Sequence, residues 1–292
     1  MSLDRRLVLI DGLAALYRAF YAIPDLATKT GKPTNAVFGF IRMINQIREI
    51  RRPSHWAVVF DGGLPKERLE ILEEYKAQRP PMPDKLREQI NIVEEYLKAA
   101  DIAWVRLEGE EADDVLASMA EWAMPNTAHI LIATNDKDIY QIVNEKTFII
   151  PITGKDEPMG VEAVKVKTGV EPSKITEWLS LTGDASDNIP GVPGIGPKTA
   201  AKLINTYGSL DLLMKRIDEV KGDSLRKSLK EYGDLITRNL KMVRLKCGLG
   251  SSLGWDELKV RPVDPASLLP LYKELEFHSF AKEISEGDLF KG

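Results

Sequence analysis

Acidic residues fall in short groups along this chain: Asp11, Asp61, the run Glu111-Ala112-Asp113-Asp114, Asp136 and Asp138 around Lys137, and Asp184 and Asp187 in a loop ending at Asn188. Nine carboxylates that converged without cations would repel one another, raise their own pKa values and cost stability. Hard divalent cations remove that conflict, because Mg²⁺ or Mn²⁺ takes oxygen ligands and keeps waters that a substrate phosphate can replace. Two such ions ~4 Å apart can activate a water and stabilise the leaving oxygen of a phosphodiester. The plainer reading is local. Acids at a helix start are favoured by the dipole and by unpaired N–H groups, and Asp in a Gly- and Pro-flanked loop forms Asx-turns. Each group alone fits that reading, but the total weakens it. Zinc chemistry has no ligand set, since Cys247 is the one cysteine and His55, His129 and His278 lie far apart.

The positioning elements are short apolar runs alternating with helical patterns. Leu7–Ile10 ends at Asp11, Ala57–Phe60 at Asp61, and Ile102–Leu107 runs on toward Glu111. His129–Ala133 leads into Thr134-Asn135-Asp136, and Thr147–Ile150 is a fifth candidate strand. Helical spacing marks Ala36–Ile50, Leu86–Ala99 and Asp113–Trp122. This alternation predicts an α/β fold with a mostly parallel sheet covered on both faces. Ligands of such sheets bind beyond the carboxyl ends of the strands, where the acids stand. Residues 64–85 are charged and poor in large apolar side chains, which on pattern alone reads as an ordinary surface helix. From about residue 160 the strand signal fades into helices at Pro172–Leu181, Lys198–Tyr207, Leu210–Arg216 and Leu225–Leu245, with a less regular tail after Gly248.

Directly after Asp187 comes Ile189-Pro190-Gly191-Val192-Pro193-Gly194-Ile195-Gly196-Pro197-Lys198-Thr199-Ala200. A Gly-rich turn opening a helix presents N–H groups to an anion, and Lys198 adds a point charge. Between Gly191 and Lys246 there are twelve Lys and Arg against six Asp and Glu, a local excess of +6 in a chain of net charge −4. That suits a phosphate backbone, and the stretch lacks aromatic clusters for base readout. The nine candidate ligands account for −9, which leaves the rest of the chain at +5. The mild acidity therefore does not exclude a nucleic-acid partner.

With 292 residues, 43% hydrophobic and 29% charged, the chain is large enough for one big domain or two modest ones. No apolar run approaches the ~20 residues needed to cross a bilayer. The N-terminus lacks the apolar stretch and cleavage site of a secretory signal. A single cysteine excludes an internal disulfide. These features point to a cytoplasmic protein with no membrane partner.

Seven motifs then occur in an order that resembles the 5′-3′ exonuclease / flap endonuclease family, specifically the N-terminal 5′-nuclease domain of bacterial DNA polymerase I. They are Asp11-Gly12 with Tyr17-Arg18-Ala19-Phe20, Val59-Phe60-Asp61, Tyr75-Lys76 with Arg79-Pro80, Glu111-Ala112-Asp113-Asp114, Asp136-Lys137-Asp138, Gly183 through Gly191, and Gly194 through Ala200. The match spans roughly residues 7–280. The resemblance implies a PIN-like nuclease core over residues 1–170, with a helical arch at 64–98. It also implies a helix-hairpin-helix (H3TH) DNA-binding subdomain and tail over 171–292. It further implies that Asp11, Asp61, Glu111, Asp113, Asp114, Asp136, Asp138, Asp184 and Asp187 hold two or more Mg²⁺ ions. Lys76 would contact the scissile phosphate, Tyr75 would stack on a nucleobase and Arg79 would steer the backbone. Arg18, Arg68, Gly194, Gly196, Lys198, Thr199 and Lys202 complete the DNA-binding set, with K⁺ held by the hairpin.

The implied activity is Mg²⁺-dependent, two-metal hydrolysis of DNA with 5′ flaps, nicks or RNA-primed 5′ ends. The protein would be a nucleoid-associated monomer, standing alone or joined to a DNA polymerase I. The family often carries Phe-Arg where this chain has Glu67-Arg68, and Glu67, Glu70, Glu73 and Glu74 make the arch acidic. Two other readings are a non-catalytic junction-binding module and a PIN-type RNA endonuclease. The full carboxylate set disfavours the first, and the hairpin with its basic run disfavours the second.

Overall fold

The structure, a computed structural model, describes residues 5–250 and 253–286. Five parallel strands, β1 (Arg6–Asp11), β2 (His55–Phe60), β3 (Trp104–Arg106), β4 (His129–Ala133) and β5 (Thr147–Ile150), form one sheet in the order β3-β2-β1-β4-β5. Every residue of β2 is buried, and β1 is buried throughout except at its half-buried first position. Such continuous burial is expected of a parallel sheet with both faces covered.

Alternation along the strands divides the core in two. Leu7 and Leu9, Ala57 and Val59, and Ile130 and Ile132 face one side. Val8 and Ile10, Trp56, Val58 and Phe60, and Leu131 and Ala133 face the other. The second side is covered by α1 (Gly12–Ala22), α2 (Asn35–Arg51) and α4 (Asp84–Ala99), the last reached through the short α3 (Lys66–Ile71). The first side is covered by α5 (Ala112–Ala123) and by the helices that follow β5: α6 (Val161–Thr168), α7 (Ile175–Thr182), α8 (Pro197–Tyr207), α9 (Leu210–Lys215), α10 (Asp223–Glu231) and α11 (Gly233–Met242).

The single helix expected over Leu225–Leu245 is two helices, broken at Tyr232–Gly233, where Gly lowers helix propensity. The tail read as less regular contains α12 (Pro265–Glu274) and α13 (His278–Ser285). Leu268, Tyr272, Leu275, Phe277, Phe280 and Ile284 bury against the α2–α4 side of the sheet. Pro265 at the helix start and Pro270 inside α12 obscured its period. Residues 64–98 also differ from one continuous arch. Helix α4 buries Leu86, Gln89, Ile92, Val93, Tyr96 and Leu97 in the core, while Arg68, Tyr75, Lys76 and Arg79 of the preceding segment reach the acids.

Candidate active site

Side-chain alternation continues past the strand ends, and it builds the site. Asp11 follows Leu7 and Leu9, Asp61 follows Ala57 and Val59, and Thr134 follows Ile130 and Ile132, so all three fall on the face that α5 covers. Helix α5 begins there, and its first N–H, on Ala112, donates to Asp61 Oδ1 at 3.2 Å. Asp61 thus caps a helix whose own N-cap residue, Glu111, makes no capping bond. Capping therefore accounts for Asp61 and does not account for Glu111 or Asp113. Asp11 caps α1 through Ala14 N–H at 2.9 Å, while its second oxygen accepts the Thr134 hydroxyl at 3.0 Å.

The remaining acids arrive on two loops. After β4, Asp136 Oδ1 accepts the Asp138 N–H at 2.8 Å. After α7, Asp184 Oδ1 accepts the Ser186 N–H at 2.9 Å and the Ser186 hydroxyl at 2.6 Å. The Asx-turn reading holds for these loops, and the turns aim their carboxylates inward. Oxygens of Asp138, Asp184 and Asp187 all lie within 4.8 Å of one another.

Burial and mutual repulsion set the protonation of the cluster. Burial, then the charge of Asp61 and Asp136, push the Asp11 carboxyl up to about 7. Asp113 and Asp138 are held well above the usual carboxylate range by burial and by neighbouring acids, Asp136 first among them. Asp61 and Asp136 are raised mainly by burial. Burial alone would raise Glu111, but Lys76 and Arg68 outweigh it and hold this carboxyl low. Asp184 is likewise lowered against its burial by Ser186 and Lys137, whose ammonium is 3.1 Å away.

Hard cations fit this donor set. The ligands are all oxygens, most are destabilised in their ionised form, and the buried Oδ1 of Asp138 has no hydrogen-bond partner among the described residues. A divalent ion would satisfy that atom and relieve the repulsion.

Asp114 departs from the expectation. It is fully buried and faces away, held by Arg68 through two bonds of 2.8 and 2.9 Å and by the Lys246 N–H at 2.8 Å. Arg68, expected on the DNA-facing surface, is 6% exposed because it is the counter-ion of Asp114 and Glu111. Tyr75, expected to stack on a base, is 3% exposed, and its hydroxyl donates to Glu111 at 3.0 Å and Asp187 at 3.1 Å. The Lys76 ammonium pairs with Glu111 and lies 3.5 Å from Asp187, and Arg79 pairs with Asp187 at 2.7 Å. This segment is stitched to the Asp184 loop by Lys76 N–H to Asp187 O, Gln78 to Ala185 O and Asn188 to Glu74 O. Arg18 is exposed on α1.

The hairpin stands apart from these contacts. Val192 and Ile195 anchor it in the core, while Gly194, Gly196, Lys198 and Lys202 are exposed and Thr199 is half-buried. Gly194 needs its residue type for a φ of +79°, but a Cβ at Gly196 would meet nothing within 4 Å. Nothing inside the fold demands glycine at 196. Sequence reasoning missed Thr134, Lys137, Gln78 and Lys246. Only the first two carried a signal, by standing beside the Asp136 motif.

The profile of the 5′-3′ exonuclease N-terminal resolvase-like domain matches residues 6–169, and that of the 5′-3′ exonuclease C-terminal SAM fold matches 170–266. The chain belongs to the 5′-3′ exonuclease family. It is a nuclease. The 5′-3′ exonuclease of Aquifex aeolicus is 38% identical over 283 residues, covering 97% of this chain and 96% of that protein. DNA polymerase I of Bacillus subtilis is 34% identical over 290 residues, and the matched part is 33% of its length. The chain thus spans about a third of the polymerase relatives it resembles. The fold is shared with bacteriophage T5 flap endonuclease solved with DNA and metal ions (TM-score 0.71, 20% identity, 97% of this chain and 98% of that one). It is shared also with the Rad2 catalytic core bound to DNA substrate (TM-score 0.66, 18% identity, 98% and 93%). Among the described residues no helix is long and apolar enough to cross a membrane.

Proposed function

We propose that this family member is a Mg²⁺-dependent, structure-selective 5′ nuclease that cuts DNA at 5′ flaps, nicks and RNA-primed 5′ ends. The observation that carries the reading is the convergence of destabilised carboxylates at the strand ends, among them the Asp138 oxygen that has no partner among the described residues. Asp11, Asp61, Glu111, Asp113, Asp136, Asp138, Asp184 and Asp187 would hold the ions. Asp114 would act behind them by fixing Arg68. Bound there, two Mg²⁺ ions (or Mn²⁺) would supply an activated water and neutralise the leaving oxygen.

The chain's own residues have separate tasks. Lys76, released from Glu111 and Asp187, would balance charge on the scissile phosphate. Arg79 and Arg18 would hold adjacent phosphates, and Tyr75, once its hydroxyl leaves Glu111, would offer its ring to a base. The open face at Gly194 and Gly196, with Lys198, Thr199 and Lys202, would grip the duplex backbone, with K⁺ at the hairpin. Specificity would come from the junction, because these contacts are phosphate chemistry and not base readout. Work as a monomer, alone or joined to a DNA polymerase I in the nucleoid, belongs to the same proposal. Offering a DNA 5′ flap and an RNA hairpin in competition tests it. Preferential cutting of the flap supports the reading, and preferential cutting of the RNA hairpin removes it.

A further inference from the structure

We propose that Thr134 is a positioning residue whose hydroxyl ties the two halves of the carboxylate cluster together and sets how they present oxygens to a cation. The inference rests on the metal-site reading above.

Thr134 follows the last residue of β4. Because Ile10 is the register partner of Ala133, the next residues on the two strands, Asp11 and Thr134, are side-by-side neighbours on the same face. Thr134 is 1% exposed, and its N–H donates to Ile150 O at 3.2 Å, so its backbone is held by the adjacent strand. Its Oγ1 donates to Asp11 Oδ2 at 3.0 Å and accepts the Asp136 N–H at 3.1 Å. One hydroxyl thereby spans both groups. Asp11 feels the charge of both Asp61 and Asp136, and Asp136 in turn feels that of Asp187 and Asp184.

The geometry has a direct consequence for ligation. With Oδ1 taken by Ala14 N–H and Oδ2 by Thr134, the Asp11 carboxylate is held at both oxygens, and each oxygen keeps a lone pair for a cation. The bond to Asp136 N–H fixes the start of the turn that delivers Asp136 and Asp138. Groups that orient metal ligands in this way typically change affinity by about 10–100-fold when removed. Valine has threonine's shape without its hydroxyl, so Thr134→Val removes both bonds and keeps the packing.

The test is Mn²⁺ binding by titration calorimetry, without DNA, on wild type, Thr134→Val and Thr134→Ser, alongside metal-free thermal melts. Thr134→Val is expected to weaken Mn²⁺ binding about tenfold or more, and Thr134→Ser to restore most of the affinity. Duplex-junction binding in EDTA should be equal in all three. Wild type that binds no Mn²⁺ overturns the metal-site reading itself. Equal affinity in wild type and Thr134→Val overturns only the role of Thr134, as does a serine variant as weak as valine. If Thr134→Val does not fold, Thr134→Ala takes its place with the same expected loss and the same refuting results.

Discussion

Replacing Asp11 by Asn in the metal-free protein removes one charge from a cluster that suffers from too many. Asp11 is raised from 3.8 to about 7 by burial first and by Asp61 and Asp136 after it. Its folded value lies above its unfolded one, so between about pH 4 and pH 7 the native state keeps a proton that the unfolded chain has released. Stability therefore falls as pH rises through that window, and the loss is complete above about pH 7. A shift of about three units corresponds to about 4 kcal/mol at ~1.4 kcal/mol per unit. Neighbouring acids share that shift, and an Asn amide facing the Thr134 hydroxyl forfeits roughly 1 kcal/mol of hydrogen bonding. The net gain at pH 8 is then about 2–3 kcal/mol, or roughly 3–5 °C in melting temperature for a chain of this length. Thermal melts in EDTA at pH 4 and pH 8 read this directly. Asp11→Asn should melt above wild type at pH 8 and level with it or below at pH 4, and added Mg²⁺ should stabilise wild type more than the variant. A variant no more stable than wild type at pH 8 would refute the claim that the cluster is electrostatically strained.

Other substitutions separate structural from DNA-facing cations. Arg68→Ala should cost about 3–5 kcal/mol in urea unfolding, because it strands the buried Asp114 charge; a loss under about 1 kcal/mol would mean the pair is not an internal support. Lys198→Ala should leave stability unchanged and lower the slope of log affinity against log salt by about 1 for duplex DNA. An unaltered slope removes Lys198 from the DNA contact.

The sheet and the acids at its strand ends were legible because a parallel strand buried on both faces reads as an unbroken apolar run, and polar residues begin where it stops. Leu7–Ile10 before Asp11 and His129–Ala133 before Asp136 show this plainly. The local turns were legible too, since Asx-turns involve residues only two apart. Long-range pairing was not. Nothing near Arg68 in sequence announces that it neutralises Asp114, 46 positions away, and the buried residue of helix α3 is this guanidinium. The burial of Tyr75 was not legible, because its partners Glu111 and Asp187 come from two distant segments. The covering role of α12 and α13 was hidden by prolines and by a surface assembled only when the sheet folds.

Cleavage of an end-labelled 5′-flap DNA with Mg²⁺, with EDTA, and by Asp113→Ala tests the central claim most directly. Asp113 sits in the strained cluster, pushed well above the usual carboxylate range by burial and by Asp136, Asp11 and Asp138. The account predicts a labelled product of defined length near the junction with Mg²⁺, none in EDTA, and none from Asp113→Ala even though that variant still binds the junction. Cleavage that persists in EDTA, or wild-type-like cutting by Asp113→Ala, would contradict it.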